Sequence, residues 1–592
     1  MQTLRGSQRR WQLAEATAEA AVLAEAVRAP AIVGHLLWQR GVRDVDTAQQ
    51  FVDPKLTDLH DPADLPGVGR AAARLVTAVR ERQPIVIYGD YDVDGVTATS
   101  ILYHTLRAAD ADAPVQRYIP HRVDEGYGIS TEAIAKLADR GAAVIVSVDC
   151  GITATEPAHV AKQRGVDLII TDHHEPDATL PDAFAIAHPR VVDPDDSARR
   201  YPFGELSGAG VAYKLAWQFA RTWCGSERVS AVFRELLVDL LALAALGTVA
   251  DVVPLVGENR VIAHHGLGRI KHTKFDGLNA LIDASKLRGE QIDAYHMGFV
   301  LGPRLNACGR MGHAEQAVRL LTDATAEEGR RTAEFLNKQN DDRRAVERAI
   351  FSEATDRVRK SGYDEPSVRA IVLDDPGWHA GVIGIVCSRL VERFGRPTVL
   401  LNTANDEAHG SARSIDGFDI HEAFNACGEH LLSHGGHAMA AGCRLAHEQI
   451  GAFRDALVEY AHEHISEEQL TAVLGVDAEA RLTDLSRDAV EQIERLAPFG
   501  RDNPRPVLLL RGLSVAHPPR TMGQRNNHLQ LMLEGDGATM RCVAWNRGEW
   551  AERLRPGTEM DLAAHVKLNH WNGRTNVELE ACDWRVAEGA AT

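Results

Sequence analysis

The 592-residue sequence has no long hydrophobic run and little cysteine. No stretch of about 18 or more apolar residues occurs, which argues against a membrane-spanning helix. The opening stretch MQTLRGSQRRWQLAEA lacks the apolar core of a secretory signal, so we expect a cytoplasmic protein with no membrane association. The eight cysteines include no Cys-x-x-Cys pair, which argues against a zinc cluster or a disulfide framework. We therefore expect reduced, mostly buried thiols.

Positive charge is also in deficit. Lysine and arginine total 65 against 83 aspartates and glutamates, and the net charge is −18. Because non-specific nucleic-acid binding depends on basic side chains that meet phosphates, a total of this sign argues against a nucleic-acid partner. Such a partner would have to be held by local basic and aromatic surfaces.

The length and the 45% hydrophobic content predict three to five domains. The alanine-rich start shows helical spacing in WQLAEATAEAAVLAEAVRA, which predicts a helical N-terminal cap over residues 1–75. From residue 84, short β-branched runs such as PIVIYGD, AAVIVSVD, VDLIITD and DAFAIAHP alternate with helical stretches. This alternation predicts an α/β domain with a doubly wound parallel sheet over residues 76–324. Ligands of such a sheet lie beyond the carboxyl ends of its strands.

The pattern of polar and apolar residues changes twice in the second half of the chain. Residues 325–360 are polar with helical spacing, one early glycine and no proline, which fits either one long connecting helix (325–365) or a helical hairpin. The runs VRAIVLDD and RPTVLLN predict a second α/β domain over residues 366–466. Alternating short strands after residue 467 predict a small antiparallel β-barrel, an OB-fold, over residues 467–592.

Acidic and imidazole side chains follow the strands of the first predicted sheet. The stretch YGDYDVDGVT places three aspartates directly after PIVI, and similar residues follow the next strands and the apolar helix LLALAALGTVAD. Because the carboxyl ends of parallel strands meet at one edge, we expect these side chains to share one pocket. The set comprises Asp90, Asp92, Asp94, Asp149, His173, His174 and Asp251.

Five carboxylates carry too much negative charge to be buried together beside two imidazoles without cations. This mixture of ligands suits manganese or magnesium better than zinc, and it is large enough for two ions with one bridging carboxylate. Each residue alone has an ordinary explanation, since an aspartate after a strand often caps a helix and His173 could be a core histidine. Their repetition at successive strand ends favours the metal site.

Four motifs, GDYDVDG, VSVDCGI, TDHHEP and ALGTVADVVPL, resemble in sequence and order the metal motifs of the DHH phosphoesterase family. The segments LGPRLNACGRMG, HAGVIGIVCSRL, GSARS and HGGHAMAAG are similar to those of the family's bacterial exonucleases, which are specific for single-stranded DNA. The resemblance implies a DHH catalytic domain, a DHH-associated domain and a nucleic-acid-binding OB-fold.

The resemblance also implies roles for individual residues. Asp149 would lie between the two ions and act in catalysis. Asp172 would contact the ligand residues without binding an ion itself. His174 would be a catalytic residue that faces the scissile phosphate. Tyr88 stands where related pyrophosphatases have a histidine ligand, so Asp90 is expected to supply a ligand instead. The implied metal ligands are Asp90, Asp92, Asp94, Asp149, His173 and Asp251.

Further residues are implied to bind nucleic acid. They are Arg304, Asn306, Arg310, Ser411, Arg413, Gly435, Gly436 and His437. The backbone of GGH can present N–H groups to an anion, and Arg413 can form a bidentate contact with a phosphate, although a glycine turn and a surface arginine explain the same residues. Without the resemblance, the first three are interpreted as helix caps or salt-bridge partners. Trp545 and Trp571 are candidates for base stacking or for barrel packing.

The activity implied by the resemblance is hydrolysis of single-stranded DNA from the 5′ end to mononucleotides, with two Mn²⁺ or Mg²⁺ ions, in DNA repair and recombination. The implied partners are single-stranded DNA, a single-strand-binding protein and a RecQ-like helicase, and a monomer is expected. Two alternatives stay open. One is a DHH phosphodiesterase for oligoribonucleotides or cyclic dinucleotides, which would need only the two α/β domains. The other is a non-catalytic DHH scaffold of the replication machinery, which could lose metal ligands.

Overall fold

The computed structural model describes residues 2–5, 8–120, 128–192, 200–310, 314–365, 367–571 and 573–587. The chain divides into two compact units. The metal-motif unit comprises Glu19–Asn340 and Gln492–Arg505. The barrel unit comprises Met1–Ala18, Asp341–Glu491 and Pro506–Thr592.

A five-stranded parallel sheet forms the centre of the metal-motif unit, as the sequence predicts. Its strands are, in spatial order, Val115–Tyr118, Ile85–Tyr88, Val144–Val148, Asp167–Thr171 and Ala185–Ala187. Every residue of IVIY and VIVSV is buried, as is typical of strands covered by helices on both faces. The register places Tyr88 beside Ser147 and Val148 beside Thr171, so the loops that follow these strands leave from one edge.

Helices surround this sheet. They are Ala20–Ala26, Ala31–Gln39, Val45–Val52, Val68–Arg80, Val93–Ala109, Thr131–Asp139, Thr155–Gln163, Gly208–Cys224, Ala231–Ala250, Gly257–Ile270, Asp276–Ala284, Ala294–His296, Gly302–Arg310 and Ala314–Thr322. Within the described ranges, no single helix has the length and apolar content to cross a membrane. The first two helices meet that test only as a pair bent by 116°.

The polar segment after the first domain is one continuous helix of 35 residues, Ala326–Lys360. The helical hairpin that the sequence left open is therefore wrong. Ion pairs one turn apart support the helix, because side chains at i and i+4 lie on the same face. They join Arg331 to Glu327, Arg343 to Glu347 and Arg357 to Glu353.

The second α/β domain has a mixed five-stranded sheet. Its spatial order is Ser433–His437, Ala440–Ala446, Glu407–Arg413, Thr398–Asn402 and Ile371–Asp375. Only the last two strands pair in parallel, and the other pairs are antiparallel. The helices of this domain are Ala380–Phe394, Ile420–Ala426 and Ile450–His464.

The C-terminal strands form a closed sheet. Their order is Ala478–Glu479, Leu508–Val515, Glu559–Trp571, Arg574–Val586, Ala538–Ala544, His528–Gly535 and Arg520–Met522. Closure comes from a second pairing, in which Leu508–Val515 also pairs with His528–Gly535. The barrel is not purely antiparallel as predicted, because Ala538–Ala544 pairs in parallel with Arg574–Val586 and Ala478–Glu479 in parallel with Leu508–Val515. Helix Arg487–Glu494 precedes the barrel strands from Leu508 onward.

The start of the chain differs from the predicted helix. Gln2–Arg5 and Arg10–Leu13 are antiparallel strands, and the second pairs in parallel with Val473–Val476. Trp11 is completely buried, and its indole N–H donates a hydrogen bond of 2.9 Å to Asp583. The first helix begins only at Ala20. Burial of the tryptophan in the barrel unit prevails here over the helix propensity of the alanine-rich stretch.

All eight cysteines are free thiols, six of them buried, as the sequence predicts.

Candidate metal centre

The predicted metal-binding residues converge at the carboxyl edge of the parallel sheet. Three groups of side chains each have ligand atoms within 4.8 Å of one another. The groups are Asp149 with His173 and His174, Asp94 with His173 and Asp251, and Asp90 with Asp92 and Asp149. All seven residues of the predicted pocket are thus brought together, although they span more than 160 positions of the sequence.

His173 lies at the centre of the cluster. Its Nε2 is 3.1 Å from Oδ1 of Asp149, 3.5 Å from Oδ2 of Asp251 and 3.9 Å from Oδ2 of Asp94. Burial, together with the neighbouring His174, lowers the pKa of His173 to about 3. The imidazole is therefore neutral, which is the form that binds metal ions.

Two residues at the cluster have left-handed backbone conformations. Asp149, directly after strand Val144–Val148, has φ of 60°, and its N–H donates to the carbonyl of Thr171 at 2.9 Å. Val252, directly after Asp251, has φ of 61°. This region is uncommon for residues other than glycine and especially so for a β-branched side chain. Strain of this kind occurs at functional sites, where the surrounding structure holds a side chain in position.

Asp94 is held by the N-terminus of helix Gly208–Cys224. The N–H groups of Gly208 and Ala209 donate hydrogen bonds of 2.6 and 2.9 Å to its two carboxylate oxygens. Ser207 caps the same helix, since its hydroxyl accepts from the N–H of Gly210 at 3.0 Å. The positive end of the helix dipole thus stabilises a carboxylate that is completely buried.

Two glycines that sequence reasoning missed allow the close packing around these carboxylates. A Cβ atom on Gly208 would lie 2.4 Å from Oδ1 of Asp149, and one on Gly247 would lie 2.5 Å from Oδ1 of Asp94. Both distances are shorter than real Cβ contacts, so only glycine fits at either position. The sequence signal was a glycine at the start of one helix and another inside an apolar helix.

Asp172 and His174 form a pair beside the cluster. The Asp172 carboxylate accepts hydrogen bonds from the N–H of Ile152 at 2.9 Å and from Nδ1 of His174 at 2.7 Å. Burial alone would raise the pKa of Asp172, but the bond to His174 lowers it to about 2. Burial likewise opposes the charged form of His174, yet Asp172 raises its pKa above the usual value. The His174 side chain is 42% exposed, against 11% for His173, so the two histidines face different surroundings.

His188 supports the loop that carries this pair. Its Nδ1 accepts a hydrogen bond of 3.0 Å from the N–H of Arg190, which leaves the proton on Nε2. That Nε2–H donates to the carbonyl of His174 at 2.8 Å. The imidazole therefore fixes the backbone at His174.

The electrostatics of the cluster point to cations. Burial, followed by repulsion from neighbouring carboxylates, raises the pKa of Asp90 and Asp94 to about 7, that of Asp251 to about 9, and that of Asp149 well above its usual range. Three buried atoms of the cluster that can bind a metal ion have no hydrogen-bond partner within the described part of the chain. They are Oδ1 of Asp90, Oδ1 of Asp149 and Nε2 of His173. Carboxylate oxygens with an imidazole nitrogen fit Mn²⁺ or Mg²⁺.

The motif GDYDVDG both caps a helix and contributes residues to the cluster. Oδ1 of Asp92 accepts from the N–H of Gly95 at 3.0 Å and so caps helix Val93–Ala109. Tyr88 is fully buried and donates its hydroxyl to the carbonyl of Gly128 at 3.0 Å. Asp90, and not Tyr88, is the residue near this position that joins the cluster.

The nucleic-acid-binding residues predicted in the metal-motif unit make contacts within the fold. Oδ1 of Asn306 accepts from the N–H of Val93 at 3.1 Å, at the start of the helix that carries Asp94. Arg304 is buried, and it donates to Oδ1 of Asn337 at 3.0 Å and to the carbonyl of Val300 at 2.6 Å. The Asn306 contact fits the helix-cap interpretation, whereas these two contacts of Arg304 are with an amide oxygen and a backbone carbonyl and do not test the salt-bridge interpretation. The side chain of Arg310 lies outside the described residues.

The predicted phosphate-binding residues of the second α/β domain lie on two strands of one sheet, with strand Ala440–Ala446 between them. Ser411 and Arg413 are on Glu407–Arg413, and both approach Gly384, where an added Cβ would lie 3.5 Å from the hydroxyl and 3.4 Å from the guanidinium. Strand Ser433–His437, which carries Gly435, Gly436 and His437, is the exposed edge strand. Backbone N–H groups on the outer side of an edge strand are open to a ligand.

One barrel tryptophan is exposed. Trp545 is 44% exposed, its ring lies 4.9 Å from that of His528, and the Lys567 ammonium is 5.9 Å from the ring centroid. The side chain of Trp571 lies outside the described residues.

The strand ends of the parallel sheet carry Asp-x-Asp, a single aspartate and Asp-His-His, and a second α/β domain follows. This combination defines a DHH phosphoesterase. Comparison with family models agrees. Residues 84–248 match the DHH family, N-terminal domain, residues 367–463 the DHHA1 domain, and residues 476–583 the RecJ OB domain.

The chain belongs to the RecJ family. The single-stranded-DNA-specific exonuclease RecJ of Bacillus subtilis (strain 168) is 38% identical over 571 residues, which cover 96% of this chain and 69% of the relative. RecJ of Escherichia coli (strain K12) is 32% identical over 564 residues, 93% of this chain and 95% of the relative. The crystal structure of RecJ in complex with Mn²⁺ from Thermus thermophilus has 30% identity and a TM-score of 0.81, covering 97% of this chain and 79% of that one.

Proposed function

We propose that the protein is a metal-dependent exonuclease that degrades single-stranded DNA from the 5′ end to mononucleotides. The observation that carries the proposal is the complete cluster of ligand residues, three of whose buried atoms have no hydrogen-bond partner among the described residues, in a chain of the RecJ family. A non-catalytic scaffold could have lost metal ligands, whereas every predicted position is filled here. The match to the RecJ OB domain also favours a RecJ-like nuclease over a phosphodiesterase built of two α/β domains.

The proposed metal ligands are six of the seven clustered residues. They are Asp90, Asp92, Asp94, Asp149, His173 and Asp251. When bound, two divalent ions supply Lewis acidity and neutralise charge on a phosphodiester that undergoes hydrolysis. The proposal is supported by the raised pKa values of the carboxylates, because cations would favour the ionised form that burial and mutual repulsion oppose.

His174 is proposed to act on the substrate. Asp172 holds its Nδ1 and favours the protonated imidazole, so the ring can donate a proton or a charged hydrogen bond to a phosphate oxygen. The carbonyl of His174 is fixed by His188, which limits the positions that the ring can adopt. A group held in this way needs little reorganisation during the reaction.

Single-stranded DNA is the proposed ligand of the barrel and of the phosphate-binding residues in the second α/β domain. A single-strand-binding protein and a RecQ-like helicase remain predictions, as do the monomeric state, the cytoplasmic location and the role in DNA repair and recombination.

The direct test uses one oligonucleotide labelled at the 5′ or at the 3′ end, digested with Mn²⁺, with Mg²⁺ or with a chelator. We expect release of a labelled mononucleotide first from the 5′-labelled strand, only with metal, and little digestion of blunt duplex. Release from the 3′ end first, or equal digestion of both strands of a duplex, would contradict the proposal. Oligoribonucleotides and cyclic dinucleotides in the same assay test the phosphodiesterase alternative.

A further inference from the structure

A loop from far along the chain packs against the segment that follows Asp251. Residues 492–505 belong to the metal-motif unit. The carbonyl of Arg501 accepts a hydrogen bond of 2.9 Å from the N–H of Leu255, and a Cβ on Gly500 would lie 2.6 Å from the Leu255 side chain. Arg501 therefore contacts a residue only four positions after a metal-motif aspartate, although 250 positions separate Arg501 from that aspartate in sequence.

This loop is rigidly held. The amide of Asn503, which is completely buried, donates 2.8 Å bonds to the carbonyls of Leu496 and Pro498. The buried guanidinium of Arg260 donates to the carbonyls of Leu496 at 2.8 Å and Ala497 at 2.9 Å. Arg260 lies on helix Gly257–Ile270, directly after the Asp251 segment, so the loop and that segment are one rigid assembly.

The Arg501 side chain is exposed at the edge of the acidic cluster. Its one hydrogen bond among the described residues goes to the carbonyl of Val252 at 3.4 Å, which is longer than a normal N–H···O bond. No carboxylate of the described chain lies within 4.0 Å of it. Val252 directly follows Asp251, so this contact places the guanidinium beside the Asp251 end of the cluster. Arg190, by contrast, is paired with Glu175 and Glu205.

The charge balance of the site gives this arginine a function. The five carboxylates of the cluster, when ionised, carry one more negative charge than two divalent cations carry positive charge. A DNA phosphate that approaches would thus be repelled at close range. An unpaired guanidinium beside Asp251 offsets this excess and offers a planar set of donors that fits a phosphate.

We propose that Arg501 binds a backbone phosphate of the DNA strand at the edge of the metal centre. The inference rests on the proposed function, since it assumes a nucleic-acid substrate. The ligand is the phosphodiester backbone and not a base, so binding through Arg501 is independent of sequence.

The test compares Arg501→Gln with Arg234→Gln. Arg234 is an exposed arginine on helix Ala231–Ala250, about 25 Å from the Asp251 end of that helix at 1.5 Å per residue, and it serves as the matched control. Binding is measured by fluorescence anisotropy with a phosphorothioate-linked single strand in Mg²⁺ over a range of salt concentrations. For Arg501→Gln we expect a Kd roughly 10-fold higher, a salt slope smaller by about one, a higher KM and nearly unchanged kcat. Arg501→Lys should restore most of the salt slope.

Calorimetric titration with Mn²⁺ separates this role from tuning of the metal site. We expect the Arg501→Gln variant to bind manganese with unchanged stoichiometry and affinity. Weaker or tighter manganese binding with unchanged DNA binding would mean that the arginine acts through Asp251, and would overturn the inference. DNA binding and KM equal to those of Arg234→Gln would also overturn it. Failure of the unaltered protein to digest single-stranded DNA would instead refute the proposed function.

Discussion

At the residue scale, two adjacent histidines differ in protonation state and in surroundings. His173 points into the carboxylates and is neutral, whereas His174 is paired with Asp172 and nearly half exposed. The difference arises from burial, which keeps His173 neutral, and from Asp172, which bonds to the His174 ring and not to that of its neighbour. One histidine is therefore suited to a metal ion and the other to a phosphate.

This division predicts opposite defects for the two alanine variants. His173→Ala should lose affinity for manganese, because it removes the nitrogen nearest to three carboxylates. His174→Ala should keep its metal ions and lose kcat by roughly 10²- to 10⁴-fold, the usual contribution of a positioned acid or base. Calorimetry with Mn²⁺ and steady-state kinetics measure the two effects. One fewer metal ion in His174→Ala would mean that this residue is a ligand, as its closeness to Asp149 permits.

The pKa shifts predict how the stability of the metal-free protein depends on pH. The folded state holds protons on Asp90 and Asp94 up to about pH 7 and on Asp251 up to about pH 9, whereas the unfolded chain releases them near pH 4. Raised pKa values stabilise the fold at low pH, and that stability is lost as the pH rises through the folded values. His173, whose pKa is lowered, acts with the opposite sign only below about pH 6.5.

Between pH 7 and 9, the Tm of the metal-free protein should fall, and the increase in Tm caused by Mn²⁺ should grow, because the metal binds the deprotonated carboxylates. Thermal unfolding with and without Mn²⁺ across this window measures both. Asp149→Ala is the comparison, since it should abolish turnover and show almost no increase in Tm with manganese. A manganese effect independent of pH would contradict ionisation of the cluster on binding.

At the element scale, helix Gly208–Cys224 supports the site from its first turn. It donates two backbone hydrogen bonds to Asp94, and its first residue packs directly against Asp149. Helix Ala231–Ala250 approaches the Asp94 carboxylate through Gly247. The proposed metal ligands are therefore positioned by helices as well as by the sheet.

Gly208→Ala and Gly210→Ala form a matched pair on this helix. The first adds a methyl group 2.4 Å from Oδ1 of Asp149 and should displace that carboxylate, with loss of manganese affinity and activity. The second adds a methyl group whose nearest neighbour is a flexible leucine at 3.2 Å, so activity should be retained. Stability of Gly210→Ala should change by less than about 1 kcal/mol, because alanine favours the helix. Equal activity of the two variants, measured with Mn²⁺, would show that Asp149 tolerates the shift.

Most elements could be predicted because their signal is local. The buried runs PIVI and VIVSV, and the ordered aspartates that follow the strands, are patterns within about ten residues. What could not be predicted depends on distant partners. The strand Arg10–Leu13 exists because it pairs with Val473–Val476, and the fit of Gly208 against Asp149 appears only after folding. The parallel pairings of the barrel likewise join strands whose register the sequence does not state.

At the scale of the whole molecule, the two units do not follow the order of the chain. The first 18 residues belong to the barrel unit, while residues 492–505, which lie between two of its segments, belong to the metal-motif unit. Deletion of everything after residue 466 would therefore remove both the barrel and the loop that packs against Leu255. It would also leave Trp11 without Asp583. Such a truncation cannot separate DNA guidance from support of the metal site.

A point substitution in the barrel avoids this difficulty. Trp545 is exposed, and a base can stack on such an aromatic surface. Trp545→Ala should weaken binding of strands longer than about 10 nucleotides by roughly 5- to 150-fold, the range for loss of one stacked base. Digestion of very short oligonucleotides should be unchanged, because they have no nucleotides left for the barrel once bound at the metal centre. Trp545→Phe keeps an aromatic face and should retain most of the affinity. A length series of Kd and kcat/KM measures the effect; equal loss at every length would mean that Trp545 stabilises the fold, and no loss on long strands would exclude it from DNA binding.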